Sequence, residues 1–310
     1  MEIVVVVDGP DRATVQALED LHEPKLRIVA LEQNVGGSEA RNVGARAARG
    51  EWVALLDDDD EWFPEKIEKQ MNLARSFESR FQLISSMTIV RNSFEDMVWP
   101  RYFPEPALPV SEYLFCKRGL GFGGGLLQTS TILVSKNLLL EVPFQAGLRK
   151  HQDWDWVLRV DQHDGVRIDM VRECLAVWNV EGTRNSISRA GDWLFSFEWA
   201  QSRLDLFTPR AYAYFMATEC ARTAAIKKAP ISVLFRILRE CFKGAPDLNC
   251  LLFLAKIWFF PEQLRRFIRH KLAIGRNYTP RINQPLRGQE AMNMDPAKFS
   301  ATTNPRANGR

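Results

Sequence analysis

The sequence predicts an α/β fold with a mostly parallel sheet flanked by helices, followed by an all-helical C-terminal appendage. Three observations carry this. Apolar runs such as IVVVV (Ile3 to Val7) are continuous rather than alternating, as in strands buried on both faces. These runs alternate with helical stretches over residues 1 to 180, the pattern of a sheet built from β-α-β units. Beyond Trp193 strand-like runs give way to helical periodicity as far as Lys271.

Taken in order, the first strand ends in the turn Asp8-Gly9-Pro10-Asp11. Thr14 to Leu21 reads as a helix with Val15, Leu18 and Leu21 on one face, and Lys25 to Glu32 as a second strand. NVGGSEARNVGARAARG begins as a loop and becomes helical after Ser38, the expected N-cap, with Gly50 as its C′ residue. Ala40, Val43, Gly44, Ala47 and Ala48 give that helix a small-residue face suited to close packing on a sheet. EWVALL (Glu51 to Leu56) is the next strand, and Pro64 fits the first turn of a helix running to Phe77. FQLISSMTIV is another strand. Residues 94 to 125 form a Pro-, Gly- and aromatic-rich loop containing GLGFGGG. STILVS resumes a strand, HQDWDWVLRVDQ is a helix with an Asp-rich start, and LAVWNV is the last strand. The expected boundaries are 1–190 for the α/β domain, 191–275 for the helical region, and a polar, aperiodic, disordered tail over 276–310.

The 310 residues suffice for one large domain with an appendage or for two modest ones, and the apolar and charged fractions, 46% and 25%, are those of a soluble globular protein. The net charge of +3 is unevenly spread: Arg222 to Arg281 holds thirteen Lys/Arg against three Asp/Glu. Such a segment either meets an anionic surface or is a solvated helix face. LFRILRECF and LLFLAKIWFFPEQLRRFIRHKL mix basic residues with Leu, Ile, Phe and Trp, the pattern of a basic amphipathic helix at a membrane. A helical cap over the α/β domain or a dimer face are the other readings. Five scattered cysteines, with no CxxC pair, argue against a disulfide framework or zinc site. No two histidines stand at metal spacing. MEIVVVVDGP lacks the features of a signal peptide, and CLLFLAKIWFF falls short of the roughly 20 apolar residues that span a bilayer. The expected location is cytoplasmic, peripheral at the inner face of the membrane, with no nucleic-acid partner.

The stretch EWVALLDDDDEWFP carries the chemistry. An apolar strand runs straight into four carboxylates, whose mutual repulsion a divalent cation and bound phosphates would offset. If the strand persists, Asp57 and Asp59 share one face and Asp58 and Asp60 the other. The plain alternative is an acidic turn capping the Pro64 helix. Asp8 also sits at a strand's carboxyl end, where sheets of this kind bind ligands.

In that order, these motifs resemble the core of family 2 glycosyltransferases, which have the GT-A fold. The chain shows an N-x-G loop (Asn34, Gly36), an A-R-N-x-G helix (Ala40 to Gly44), a G-E-aromatic strand start (Gly50-Glu51-Trp52), and D-x-D-D-x-W-x-P (Asp57 to Pro64). EIVVVVDGPD is similar to the family's second strand, so the resemblance covers residues 1 to 180 without the usual first strand. The resemblance implies a nucleotide-sugar site made by Asp8, Asn34, Arg41, Asp57 and Asp58. In it Asp8 bonds the base, Arg41 lies near base and phosphates, and Asp57 lies near the ribose. Asp59 matches the metal ligand of the DXD motif, with Asp60 assisting, for Mg²⁺ or Mn²⁺. HQDWDW is similar to the family's E-D-x-x-hydrophobic-x-x-R segment, with Gln152 in place of Glu. Asp153 then matches the general base and Arg159 the later Arg, with Asp155 as fallback base. Trp154 and Trp156 would form a sugar-stacking wall or pack in the core. The implied activity is inverting transfer from a nucleoside diphosphate sugar, UDP-linked by default, to a glycan, lipid-linked or other hydroxyl acceptor. A catalytically inactive GT-A-like binding or scaffold protein with a truncated nucleotide pocket is the alternative. A nucleotidyltransferase would show an N-terminal Gly-rich phosphate loop, and a D-x-D-x-T phosphatase would need Thr where Glu61 stands.

Overall fold

The computed structural model describes residues 1–92, 96–105, 107–118, 124–180 and 192–260. Most of the GLGFGGG loop, the basic stretch after Phe260 and the 276–310 tail lie outside the described residues.

β1 (Ile3–Val7) pairs in parallel with β2 (Leu26–Ala30), the crossover being α1 (Arg12–Glu19). The helix starts earlier than periodicity suggests because the Asp11 carboxylate accepts the Thr14 N–H at 3.0 Å. α2 (Gly37–Ala47) is capped by Gly36 and not by Ser38, which is buried in the first turn. Gly36 has φ +83°, a conformation that glycine adopts without a Cβ penalty. The helix stops short of Gly50, whose N–H is accepted instead by the Glu2 carboxylate. β3 (Trp52–Ala54) is shorter than the apolar run EWVALL. Residues 57–60 form a turn in which the Asp60 N–H donates to the Asp57 carbonyl at 3.2 Å. The expected alternation of the four Asp side chains along a strand therefore does not occur.

β4 (Glu61–Trp62), α3 (Lys66–Arg75), β5 (Phe81–Arg91), β6 (Asp96–Trp99) and α4 (Val110–Phe115) follow. Pro64 lies just outside α3, whose cap is Glu65, and no side chain caps that helix. A 3₁₀ turn (Thr129–Thr131) leads into β7 (Leu133–Ser135), α5 (Lys136–Glu141), α6 (Gln152–Asp161) and β8 (Val166–Asn179).

The α/β class is as expected, but the sheet is mixed where a mostly parallel one was expected. Its main part runs β3-β7-β5-β8-β4, with β6 on β5. Within it only β5–β8 is parallel; β3–β7, β5–β7, β4–β8 and β5–β6 are antiparallel. β6 follows β5 too closely for the crossover that a parallel pair needs. β1 and β2 form a separate two-stranded sheet among the described residues. Leu83, Ile84, Ile132, Val134, Leu138 and Trp156 are fully or almost fully buried at the centre. Polar residues on β5 are paired there: Ser85 Oγ lies 2.8 Å from Thr131 Oγ1, and Thr88 donates to the Ala176 carbonyl.

The C-terminal region is helical, as expected: α7 (Trp193–Ser202), α8 (Pro209–Phe215), α9 (Ala221–Ile226), α10 (Ile231–Lys243) and α11 (Leu248–Phe259). A π-helical turn, Met216–Cys220, joins α8 to α9. This region caps the α/β part. Phe215 meets Phe115 edge-on at 5.2 Å and Trp154 at 6.0 Å. Leu234, Ile237, Cys241, Phe253 and Ile257 are buried beneath α10 and α11. All five cysteines are free. Among the described residues, no helix is long and apolar enough to cross a membrane.

Candidate active site

Asp8, at the end of β1, holds the loop before α2. Its carboxylate accepts the N–H groups of Val35 at 2.7 Å and Gly36 at 2.9 Å, while Asn34 Nδ2 donates to the Asp8 carbonyl. That loop delivers Gly37 to a crowded position: a Cβ there would lie 3.2 Å from both Arg41 Nη1 and Gln152 Oε1. The close approach allows Arg41, one turn into α2, to bridge two distant segments. Its Nη2 sits 2.6 Å from Asp57 Oδ1, and its Nη1 donates to Gln152 Oε1 at 2.8 Å. Gln152 is the first residue of α6, and Asp153 follows it.

The electrostatics join these groups further. Burial works against the Arg41 charge, but Asp57 and Asp153 outweigh it and raise the pKa above the ordinary arginine value. Burial pushes the Asp153 carboxyl up; Arg41 opposes this, Asp57 adds to it, and the Thr129 hydroxyl lowers it slightly. Two carboxylates and one guanidinium thus share a site assembled from the ends of β3, α2 and α6.

Asp60 behaves differently from its neighbours. Expected to assist a metal, its carboxylate is instead committed to the fold. Oδ2 accepts Ser130 Oγ at 2.6 Å and Gln128 Nε2 at 2.7 Å, and Oδ1 accepts the Asn179 N–H at 2.9 Å. Burial raises its pKa, against these three bonds. The Asp59 carbonyl accepts Asn179 Nδ2 at 2.7 Å, and the Asp57 N–H donates to Ser130 Oγ at 3.0 Å. The Asp57–Asp60 turn, Asp58 included, is therefore tied to the Gln128–Ser130 segment and to the end of β8.

Two further expectations are corrected. Asp155, the fallback base, is fully buried and points elsewhere: Arg159 Nε bonds it at 2.8 Å, Arg203 Nε at 2.9 Å and Trp199 Nε1 at 3.1 Å. Two residues on from Asp153, about 200° round the helix, its side chain turns into the cap. Trp156 is not a sugar wall: it is fully buried, stacks on Phe144 at 4.6 Å and donates to the Val142 carbonyl. Trp154 is half-buried and stacks on His151 at 4.8 Å.

Several residues of the site were not foreseen. Gln128, Thr129, Ser130 and Thr131 are all buried, a polar run whose signal was its place directly before an apolar strand. His151 precedes α6 in the left-handed conformation, φ +63°. Its ring lies 4.8 Å from both Trp154 and Trp199, with Nε2 2.8 Å from Ser196 Oγ. Burial pushes the imidazole down to about 3, so it stays neutral near pH 7 and fixes the start of α6 by packing.

Residues 1–104 match the family described as Glycosyl transferase family 2. The amylovoran biosynthesis glycosyltransferase AmsB of Erwinia amylovora is 29% identical over 217 residues, 66% of this chain and 69% of that protein. An uncharacterized glycosyltransferase of Haemophilus influenzae is 26% identical over 60% of each chain. The succinoglycan biosynthesis protein ExoO of Rhizobium meliloti is 39% identical over 74 residues, 24% of this chain and 21% of that protein. Among solved structures, S. aureus TarS 1–349 in complex with UDP-GlcNAc superposes with a TM-score of 0.52 at 16% identity, covering 90% of this chain and 84% of that one. Over its N-terminal third the chain is thus similar to family 2 glycosyltransferases, and its fold resembles that of TarS.

Proposed function

We propose that this chain is an inverting, metal-dependent transferase that moves a sugar from a UDP-sugar to a hydroxyl of a glycan or lipid-linked acceptor, at the cytoplasmic face of the membrane. The observation that carries the reading is the convergence of Asp57 and Asp153 on one guanidinium, Arg41. UDP-sugars are the first donors to test because TarS, a protein of like fold, was solved with UDP-GlcNAc. Polysaccharide biosynthesis is the setting named for the Erwinia and Rhizobium relatives.

In this reading Asp57 and Arg41 orient the donor, with Asp8 and Asn34 shaping the loop beneath the base. Asp153 accepts the acceptor hydroxyl proton while that oxygen bonds to the anomeric carbon. The bond from that carbon to the diphosphate oxygen breaks on the opposite face, and nucleoside diphosphate leaves with the electron pair. A carboxylate with a raised pKa accepts a proton more readily, which suits this role.

The residues present fit a cation shared with substrate and not a cage made by protein alone. Among the described residues, no three His, Cys, Asp or Glu side chains could hold a metal together. Mg²⁺-type ions often take one or two carboxylates plus substrate phosphates, and the Asp turn offers oxygen donors only. Gln128 Oε1, buried and without a hydrogen-bond partner, adds another oxygen beside that turn. Asp59 is the residue assigned to hold the ion, which when bound would neutralise charge on the departing diphosphate.

The test is UDP release from UDP-sugars with Mn²⁺, using Asp153→Asn as control. Release by the wild type alone supports the transferase. Equal release by both would remove Asp153 from the mechanism, and none by either across a donor panel would favour the inactive binding protein.

A further inference from the structure

We propose that the outer face of α10 docks on an anionic lipid surface. One face of this helix is the cap described above: Leu234, Ile237, Glu240 and Cys241 are buried. The flank beside that buried face is apolar too, where solvent contact alone would favour polar residues. Ile231 is 54% exposed, Phe235 64% and Phe242 61%. At about 100° per residue these three, with half-buried Leu238, fall within roughly 60° of helix arc. Two large phenylalanines held in water on a single stripe are unfavourable unless something covers them.

The flanking charge says what covers them. Arg239 and Lys243 lie on the polar side of the stripe, and Lys227 and Lys228 stand at the end of α9 just before α10. Lys227, Lys228 and Arg239 are exposed and make no ion pair with another described residue. The other cations on α10 are engaged: Lys243 bonds Glu240 at 2.7 Å, and Arg236 covers the Phe197 ring at 4.4 Å. The one acidic residue of α10, Glu240, is buried and also accepts the Tyr212 hydroxyl, so α10 itself presents no exposed carboxylate. Exposed aromatics beside uncompensated cations match a bilayer interface, where rings enter the acyl boundary and cations meet lipid phosphates. A protein partner would need its own acidic rim; a second copy of this chain would bring the same cations face to face.

The proposal rests on the surface of α10 and not on the donor site, so the two are tested separately. The full chain is sedimented with vesicles of phosphatidylcholine alone and of phosphatidylcholine mixed with phosphatidylglycerol. The expected result is binding to the anionic vesicles at least about tenfold stronger than to the neutral ones, weakening as salt rises. Phe235→Ser with Phe242→Ser, and separately Lys227→Glu with Lys228→Glu and Arg239→Glu, should each lose at least about tenfold of that binding. Both variants should keep wild-type melting and nucleotide titration, because every substituted residue is exposed. Failure of the wild type to bind anionic vesicles, or vesicle binding unchanged in both variants, would overturn the proposal. So would a wild-type dimer by light scattering that the Phe variant converts to monomer without any lipid binding, which would assign the face to a second copy.

Discussion

Arg41 Nη2 lies 2.6 Å from Asp57 Oδ1, while the same guanidinium donates through Nη1 to Gln152 at 2.8 Å. Positions separated by 16 residues on one side and 111 on the other are thereby clamped together. A lysine keeps the charge but cannot present two rigid donors at once. Arg41→Lys should therefore weaken nucleotide binding by about tenfold or more, since it frees Asp57 from the start of α6. Titration calorimetry checks this; unchanged affinity would mean that the clamp is only structural.

Asp153 yields two separable expectations. Asp153→Asn should leave donor affinity near the wild-type value and lower turnover by roughly 10²–10⁴-fold, the usual scale for a lost general base. It should also flatten the dependence of the melting temperature on pH. The folded-state pKa is raised by burial, so between the unfolded and folded values the native state binds more protons than the unfolded state. Stability then falls as pH rises through that window, a fall that the amide, which does not titrate, removes. The same shift places the acidic limb of kcat/KM above the ordinary Asp range. Gln152→Glu, which adds a negative charge beside Asp153, should move that limb to higher pH. A pH–rate profile that does not respond would separate Asp153 from the proton transfer.

The Asp turn should divide by role. Asp59→Asn should abolish metal-dependent nucleotide binding while leaving the fold intact. Asp60→Ala removes the acceptor for Ser130, Gln128 and the Asn179 N–H. It should cost about 1–3 kcal/mol in denaturant unfolding, because buried donors lose their partners. If Asp59→Asn destabilises and Asp60→Ala abolishes metal dependence, the two assignments are exchanged.

Lys66 carries an unforeseen pH dependence. It is fully buried, bonds Gln70 Oε1 at 2.6 Å and lies 4.3 Å above the Trp62 ring. Burial pushes its pKa from 10.5 down to about 7. Between those values the unfolded chain binds the extra proton, so stability rises with pH across that window. Lys66→Met should flatten the rise and stabilise the protein at pH 7. Parallel melting curves of both proteins from pH 7 to 10 decide this, and identical slopes would contradict it.

Much of the architecture was legible because continuous apolar runs and their helical spacers dictate strands and crossovers. β1, β2, β5 and α6 fall where periodicity places them. The sheet's sense did not follow, because local pattern does not specify which strand a segment pairs with; β7 and β4 insert antiparallel through long-range ladders. The motif residues were readable one by one, but their ties were not. Nothing local marks Asp60 as a turn anchor, since its partners stand 68 to 119 residues away. Lys66 reads as a surface helix residue in EKIEKQ, and only the tertiary packing buries it.

The measurement that bears most directly on the account is calorimetric titration of the chain with UDP, GDP, dTDP and CMP, each with and without Mn²⁺. The account predicts saturable, Mn²⁺-dependent binding of UDP, retained in Asp153→Asn and lost in Asp59→Asn. Absence of binding by all four nucleotides, or equal affinity in wild type and Asp59→Asn, would contradict it.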